Sequence, residues 1–188
     1  MDVQLVKPSV NLEEHYMDYY SEWKEAGERL NPGILRMMDP NRFEEMVNAL
    51  HEIEIGKREG HVPESVYFLV NEKIRILGAV TIRHSLTERM LNTEGHIGAG
   101  IRPSERRNGY ATKILELALD KMRELDIPKA LVTCNENNIG SEKAILRNGG
   151  VRDDDYREAH GNVVKRYWIQ FKRNLSLSPH SPSSNNQV

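Results

Sequence analysis

The part of the chain that most constrains the fold is residues 96–113, which read HIGAGIRPSERRNGYATK. Apolar residues alternate with smaller or polar ones over residues 97–101, which is the period of a half-buried β-strand. Pro103 has no N–H group to give to a neighbouring strand, so the strand is expected to stop there. From Gly109 onward the apolar residues recur at helical spacing. The stretch therefore predicts a strand, a tight loop and an amphipathic helix.

The loop of residues 106–112, called here the phosphate loop, has the chemistry of a diphosphate site. The first turn of a helix offers N–H groups without intrahelical partners, and the helix dipole favours an anion there. Gly109 has no side chain and Ala111 has a small one, so phosphate oxygens can approach the backbone. Arg106 and Arg107 add charge that pairs well with phosphate. The loop lacks both the Gly-Lys-Ser/Thr of a P-loop and the three spaced glycines of a dinucleotide fingerprint.

The spacing Arg106-x-x-Gly109-x-Ala111, preceded by a strand and a proline, resembles motif A of the GNAT superfamily of N-acetyltransferases. In that family the motif binds the pyrophosphate of acetyl-coenzyme A (acetyl-CoA), so the resemblance implies acetyl-CoA as cosubstrate. The resemblance extends over residues 66–172. It assigns these loop residues to cofactor binding: Arg106, Arg107, Asn108, Gly109, Tyr110, Ala111 and Thr112.

The order of predicted elements indicates a mixed α/β (α+β) fold around one central sheet. Strands are predicted at residues 3–6, 66–70, 74–84, 96–102, 129–135 and 162–171, and helices at 12–30, from Asp39-Pro40 onward, at 109–126 and at 139–148. The family resemblance implies a mostly antiparallel, twisted sheet with helices on both faces. It also implies that a parallel pair, residues 96–102 and 129–135, splays apart to admit the pantetheine arm, which would pair with backbone groups near Ile101.

A second match to the family is Asn138-Ile139-Gly140-Ser141, which is similar to an Asn-x-x-Ala/Ser motif that contacts the pantetheine arm. The resemblance assigns Asn138 and Ser141 to cofactor binding, although Asn138 can also serve as a helix cap. Many members carry a tyrosine seven residues after this asparagine, where it acts as general acid on the departing thiolate. Here that position is Ile145, so the proton donor is unassigned. Tyr156 and Tyr167 are candidate substitutes, and the alternative for each is ordinary packing in the last strands.

Two residues at the start of the central strand are candidate general bases. An alkyl amine has a pKa of about 10.4, so only about one molecule in 2,500 is neutral at pH 7. Glu94 and His96 are two apart, which on a strand places them on one face, and family members often carry a glutamate or a water-relaying polar residue here. The alternatives are a solvated loop end for Glu94 and a hydrogen-bonded sheet histidine for His96. Cys134 has no legible partner that would make it a nucleophile.

Composition and charge limit the classes of protein to which the chain can belong. The chain has 188 residues, a net charge of −2 and one cysteine, so it cannot form an internal disulfide and is expected in a reducing compartment, with the cytoplasm as default. It has no apolar run long enough to span a membrane, no excess of basic charge for nucleic acid, and no cysteine–histidine spacing for a metal. Residues 1–173 are predicted to form one domain, and the Ser/Pro/Asn/Gln-rich residues 174–188 a disordered tail.

The resulting prediction is an N-acetyltransferase that passes the acetyl group of acetyl-CoA directly to a primary amine of a small molecule or peptide. Because the usual tyrosine is replaced by Ile145, the alternative is a coenzyme A-binding sensor or interaction module without turnover. Neither nucleic acid nor a membrane is expected as a partner. Dimers are common among proteins that resemble this one, so a homodimer is left open.

Overall fold

The computed structural model describes residues 2–171, so the predicted tail of residues 174–188 lies outside the described part. The helices and strands are β1 (Val3–Val6), α1 (Glu13–Glu25), α2 (Phe43–Glu54), β2 (Glu64–Asn71), β3 (Ile76–Arg83), α3 (Glu88–Thr93), β4 (Ile97–Ile101), α4 (Tyr110–Glu124), β5 (Lys129–Asn135), α5 (Ile139–Arg147), β6 (Val151–Arg152), β7 (Tyr156–Arg157) and β8 (Val163–Gln170). Short 3₁₀ turns cover Val10–Leu12, Gly33–Met37 and Pro103–Glu105.

The strands of this part of the chain form two four-stranded sheets rather than the one predicted. The first has the order β1-β2-β3-β4, and in the second β8 pairs with β5, β6 and β7. Every ladder between these strands is antiparallel. The prediction of a mixed α/β fold built on mostly antiparallel strands is therefore confirmed. That residues 1–173 form a single domain stays a prediction.

Helices cover both faces of the first sheet. Tyr67 and Leu69 of β2 belong to the hydrophobic cluster that contains the buried side chains of α4 and α5. Val66, Phe68 and Val70 belong to the cluster that contains those of α1 and α2. Since successive strand side chains point to opposite faces, α4 and α5 lie on one face and α1 and α2 on the other.

The two sheets meet at the start of β4 and then separate. An isolated bridge joins Gly95 to Val132, with the antiparallel hydrogen-bond pattern, and the His96 N–H donates to the Leu131 carbonyl (2.7 Å). No ladder between β4 and β5 follows in the described residues. The predicted opening between these two strands is therefore where the sheets diverge.

Two local predictions are wrong. The helix expected to start at Asp39-Pro40 begins at Phe43 instead, because Asp39 Oδ1 accepts from the Asn41 N–H (2.9 Å) and closes a separate turn. Residues 85–93, for which the sequence predicts neither a helix nor a strand, contain α3, whose N-cap Thr87 accepts from the Met90 N–H (3.3 Å). In both cases a local side-chain hydrogen bond decides where the helix begins.

None of the helices that the structure describes is both long and apolar enough to cross a membrane.

Candidate active site

The phosphate loop leads into α4 through an unusual backbone turn. Gly109, the residue before the helix, has φ 84° and ψ −3°, in the left-handed region, and Arg107 has φ 64°. In the described part of the chain, the backbone N–H groups of residues 107–111 donate no hydrogen bond. These consecutive N–H groups at a helix N-terminus form a concave site suited to an anion.

The two arginines of the loop have different surroundings. Arg106 turns away from the loop and donates twice to the Glu28 carboxylate, at 2.7 and 2.6 Å. Its Nε donates to the Ile101 carbonyl (3.2 Å), and its guanidinium lies 5.1 Å from the centroid of the Trp23 ring. The hydrogen bonds from Arg106 lower the pKa of the Glu28 carboxyl. Arg107 is exposed and makes no ion pair within residues 2–171.

The edge of β4 that faces β5 is open. The Arg83 N–H donates to the His96 carbonyl (2.8 Å) and the Arg102 N–H to the Leu77 carbonyl (2.9 Å), so these bonds flank the β3–β4 ladder. Backbone groups alternate between the two sides of an antiparallel strand. The residues whose N–H and carbonyl groups face β5 are therefore Ile97, Ala99 and Ile101.

The facing edge of β5 follows the same alternation. The Glu136 N–H donates to the Val163 carbonyl of β8 (2.9 Å), which leaves the backbone groups of Thr133 and Asn135 on the β4 side. In the described part of the chain, the N–H groups of Ile101 and Thr133 have no acceptor. These unpaired N–H groups line the opening between β4 and β5, where they can donate to the carbonyls of an arm that contains amides.

A loop that the sequence analysis did not single out lies across β4. Asn31 Nδ2 donates to the Ala99 carbonyl (2.8 Å), and the Tyr19 hydroxyl donates to the Asn31 carbonyl (3.3 Å). A Cβ on Gly100 would lie 2.8 Å from Asn31 Cβ and closer still to its carbonyl oxygen, so this position requires glycine. No motif surrounds Asn31, and only the glycines of β4 indicate that another segment approaches closely.

Asn138 is a helix cap, and its geometry leaves its amide group available. Its Oδ1 accepts from the Ser141 N–H (3.0 Å), whereas its Nδ2 has no acceptor among the described residues. Ile145 is buried, and a Cβ on Gly150 would lie 2.5 Å from Ile145 Cγ2. The position of the usual tyrosine therefore holds a packed aliphatic side chain.

The two candidate bases are both engaged. Glu94 is ion-paired with Arg83 (2.9 Å) and Arg89 (3.2 Å). His96 Nδ1 accepts from the Leu131 N–H (3.0 Å), and burial lowers the pKa of His96 to about 4. The ring is then neutral with its proton on Nε2, so it has no free lone pair. Glu94 is the cap residue after α3 rather than part of a strand, so the spacing argument that put both on one face does not apply.

The substitute tyrosines differ in accessibility. Tyr167 is buried, accepts from Arg152 Nη1 (2.8 Å) and donates to Glu142; burial and this carboxylate raise its pKa to about 12. Tyr156 is exposed. Burial also raises the pKa of the Cys134 thiol, which agrees with the absence of a nucleophile at that position.

A buried arginine attaches α1 to the segment that precedes the phosphate loop. Arg102 is 1% exposed and donates to Asp18 (2.8 Å), Glu22 (2.6 Å) and the Ile76 carbonyl (3.1 Å). Glu22 also accepts from the Ser104 N–H (2.6 Å). No local sequence pattern indicates this role for Arg102, because its partners lie far away along the chain.

A cavity of about 320 Å³ lies between α1 and the chain that follows it. We call it the α1 cavity; its lining residues are Tyr20, Trp23, Lys24, Glu28, Leu30, Leu35, Arg36, Met38 and Pro40. It adjoins the open edge of β4, because Glu28 and Trp23 contact Arg106, which contacts Ile101. Among the described residues no cluster of histidine, cysteine and carboxylate side chains could hold a metal ion.

Comparison with known proteins identifies a family and a fold. The sequence profile of the Acetyltransferase (GNAT) domain family matches residues 11–151. No curated protein sequence is significantly similar to the chain.

Three solved structures illustrate the likeness. Ribosomal-protein-S5-alanine acetyltransferase from Vibrio fischeri has a TM-score of 0.66 and 14% identity, with 94% of each chain covered. RimJ from Mycobacterium smegmatis, in complex with CoA-disulfide, has a TM-score of 0.66 and 16% identity over 94% of this chain and 85% of that one. A spermidine N-acetyltransferase SpeG chimera from Vibrio cholerae and hSSAT has a TM-score of 0.63 and 15% identity over 90% and 96%. At such identities the likeness concerns the fold.

Proposed function

Because the chain belongs to the GNAT family of acetyltransferases, we propose that it transfers the acetyl group of acetyl-CoA directly to a primary amine of a small molecule or a peptide. As a member of that family it is an N-acetyltransferase and uses acetyl-CoA. The observation that supports the proposal most is the row of N–H groups without acceptors at residues 107–111, beside the open edge of β4.

In the proposed complex the diphosphate of acetyl-CoA accepts from the N–H groups at the start of α4. Arg107 supplies a cation, and Asn108 and Thr112 flank the site. The pantetheine arm enters the opening between β4 and β5, where the Ile101 N–H has no acceptor among the described residues and Asn138 Nδ2 is available, with Ser141 beside it. Of the two loop arginines, Arg106 is paired with the Glu28 carboxylate, whereas Arg107 makes no ion pair among the described residues.

Transfer would proceed in a ternary complex. Making an alkyl ammonium neutral at pH 7 costs about 4.6 kcal/mol, so a base must take its proton. Glu94 and His96 remain the proposed bases, and either one must first exchange a present partner. The nitrogen lone pair then attacks the thioester carbonyl, whose oxygen an N–H group on the open edge of β4 polarises, and the C–S bond breaks. Gly100 cannot share this role, because its N–H faces β3.

The coenzyme A thiol has a pKa near that of cysteine, about 8.5, so its thiolate leaves without an obligatory acid. This fits the buried Ile145 at the position of the usual tyrosine. The proposal includes a cytoplasmic location, supported by the single free cysteine, and no nucleic-acid partner, supported by the net charge of −2.

The test compares coenzyme A with pantetheine, which lacks the diphosphate together with the 3′-phosphoadenosine, by calorimetry, and Gly109→Asp isolates the contribution of the phosphate loop. We expect coenzyme A to bind at least about a hundredfold more tightly, since charge-assisted hydrogen bonds to phosphate are each worth about 1.5–3 kcal/mol. Gly109→Asp should remove this difference by placing a carboxylate in the phosphate loop. Gly60→Asp is the matched control, because Gly60 has φ 77° and a Cβ there meets no atom within 4 Å.

Equal affinity for the two ligands, or unchanged coenzyme A binding by a folded Gly109→Asp variant, would refute the cofactor site. Turnover is tested separately by thiol release from acetyl-CoA with a panel of primary amines. Binding of acetyl-CoA without release for any amine would contradict the proposed transfer and support a sensor.

A further inference from the structure

The loop after α1 places a carboxamide at the middle of the open edge of β4. Asn31 Nδ2 donates to the Ala99 carbonyl (2.8 Å), which faces β5 because Ala99 and Val80 form a pair of the β3–β4 ladder that exchanges no hydrogen bonds. Since a carbonyl oxygen can only accept, it determines which end of the carboxamide is Nδ2. The other end, Oδ1 of the half-buried Asn31, accepts no hydrogen bond from the described residues and is available to a ligand.

We propose that Asn31 Oδ1 accepts an N–H of the substrate amine and thereby holds the amine beside the thioester carbonyl. This inference rests on the proposed function, because it requires acetyl-CoA in the opening between β4 and β5. It gives a substrate-binding role to a residue outside every sequence motif and makes the loop after α1 part of the amine site.

Asn31 and the thioester share the same stretch of β4. The opening extends from Ile101, next to the phosphate loop, to the bridge between Gly95 and Val132, where the two sheets meet. At about 3.3 Å per residue, Ala99 lies about 7 Å beyond Ile101 and about 10 Å from His96. An arm that starts at the phosphate loop and passes Ile101 therefore carries its terminal thioester to the region of Ala99. From there the proton of the amine reaches the proposed bases through water.

Asn31 approaches β4 from the face opposite α4. Gly98 and Gly100 leave room on this face for Pro32 and Asn31, and a Cβ on Gly98 would lie 3.6 Å from Pro32 Cβ. It is the α1/α2 face, because Ala79, the partner of Gly100, belongs to the cluster that contains the buried side chains of α1 and α2. The first turn of α4, which is proposed to bind the diphosphate, is on the other face. The amine and the cofactor therefore reach the edge of β4 from opposite sides.

The carboxamide is held in place before any ligand binds. The buried Tyr19 hydroxyl donates to the Asn31 carbonyl (3.3 Å), and the absence of a side chain at Gly100 lets the backbone of Asn31 lie against the strand. Because the site is already ordered, little conformational entropy is lost when the amine binds. The Ala99 carbonyl has two lone pairs, so its bond to Asn31 leaves one for an amide N–H of the pantetheine arm.

An amide oxygen suits an amine that must be neutral to react. A primary amine that has lost its extra proton keeps two N–H groups and one lone pair. When one N–H donates to Oδ1, the lone pair is restricted in direction and can be aimed at the thioester carbon. A carboxylate at this place would instead favour the ammonium form, which cannot attack, because a nearby negative charge raises the pKa of an amine.

The first test measures thiol release from saturating acetyl-CoA with spermidine, 2-phenylethylamine and alaninamide. For the amine that the wild type acetylates fastest, Asn31→Ala should raise KM and lower kcat/KM about tenfold, which corresponds to about 1.4 kcal/mol and to one hydrogen bond. The affinity for coenzyme A should stay within about twofold. Asn41→Ala is the matched control, because Asn41 lies on the same connection between α1 and α2 and its side chain donates to Asp39.

The second test separates binding of the amine from support of the loop. Asn31→Asp keeps an accepting oxygen but loses the donor to the Ala99 carbonyl. If Oδ1 binds the amine, the new carboxylate should pair with the ammonium form, so we expect the KM for the amine to fall about threefold and kcat to fall about tenfold. If Asn31 only supports the loop, the aspartate should resemble the alanine or be worse, since its charge repels the carbonyl.

The following results would overturn the inference: unchanged kcat/KM in Asn31→Ala, an equal loss in Asn41→Ala, a parallel loss of coenzyme A affinity, or a KM for the amine that does not fall in Asn31→Asp. If the wild type releases no thiol with any of the three amines, the inference is rejected together with the proposed transfer. The cofactor site is tested independently of both, by pantetheine and Gly109→Asp.

Discussion

At the scale of single residues, Gly100 determines how closely the loop after α1 approaches β4. A Cβ there would lie 2.8 Å from Asn31 Cβ, and Asn31 Nδ2 donates to the neighbouring Ala99 carbonyl (2.8 Å). The loop therefore reaches the same strand edge that is proposed to hold the thioester. Since the loop also lines the α1 cavity through Leu30, its position affects both halves of the site.

Gly100→Ala should displace this loop. Because backbone atoms rather than the end of a flexible side chain stand in the way, we expect a loss of about 1–3 kcal/mol in the free energy of unfolding, measured with urea. Gly140→Ala is the control, since a Cβ at Gly140 of α5 meets only Asn138 Oδ1, at 3.7 Å, and alanine favours helix. Equal stability of both variants would mean that the Asn31 loop does not press on β4.

His96 gives the protein a titratable contact between its two sheets. Burial lowers the pKa of His96 from 6.5 to about 4, and its Nδ1 accepts from the Leu131 N–H. Between pH 6.5 and about pH 4, His96 is therefore mostly protonated in the unfolded chain and mostly neutral in the folded protein. Stability from this group is complete above that range and is lost as the pH falls through it.

His96→Gln is expected to remove this dependence, because the glutamine oxygen can accept from the Leu131 N–H but does not titrate. The wild type should lose about 3 kcal/mol more than the variant when unfolding is followed from pH 7 to pH 4. Parallel stability curves for the two proteins would show that His96 does not stay neutral in the folded state.

At the scale of elements, α1 holds the segment that enters the phosphate loop. Glu22 accepts from Arg102 and from the Ser104 N–H, both at 2.6 Å, although both donors are about 80 residues away in sequence. Burial alone would raise the pKa of Glu22, but these donors lower it below 4.5. A group whose pKa is lowered by folding stabilises the protein above that value and loses this effect as the pH falls.

Glu22→Gln should therefore lower the free energy of unfolding by about 2 kcal/mol at pH 7, because hydrogen bonds to a charged partner are weakened and Arg102 loses a counter-charge. The difference from the wild type should shrink when the pH falls below about 4. Glu25→Gln on the same helix should change stability little at either pH. A constant difference across this range would contradict the ionised state of Glu22.

Elements with a strong local pattern were predictable from sequence. The hairpin of β2 and β3 and helix α4 repeat their apolar residues at periods that tertiary contacts do not override. The turn at Asp39 was misread, because an aspartate before a proline fits a helix cap as well as the turn that it closes. The short helix α3 has few apolar residues, so only its Thr87 cap could have indicated it.

At the scale of the whole molecule, the sequence predicts the family, the opening between β4 and β5 and the position of the phosphate loop. It does not predict the contacts that connect them. Arg106 and Glu28 are 78 residues apart, and Arg102 and Glu22 are 80 apart, so no local spacing marks either pair. Asn31 was missed for the same reason. Only the folded chain brings α1, β4 and α4 together around the proposed cofactor site, with a cavity beside it.

We expect the diphosphate of coenzyme A to bind the N–H groups at residues 107–111. ¹H–¹⁵N correlation spectra recorded during titration with coenzyme A report on these N–H groups individually. The amide signals of Gly109 and Tyr110 should show the largest downfield proton shifts, because their N–H groups gain charged acceptors, and pantetheine should leave them in place. Saturable binding of coenzyme A that leaves these two signals unmoved would contradict the account.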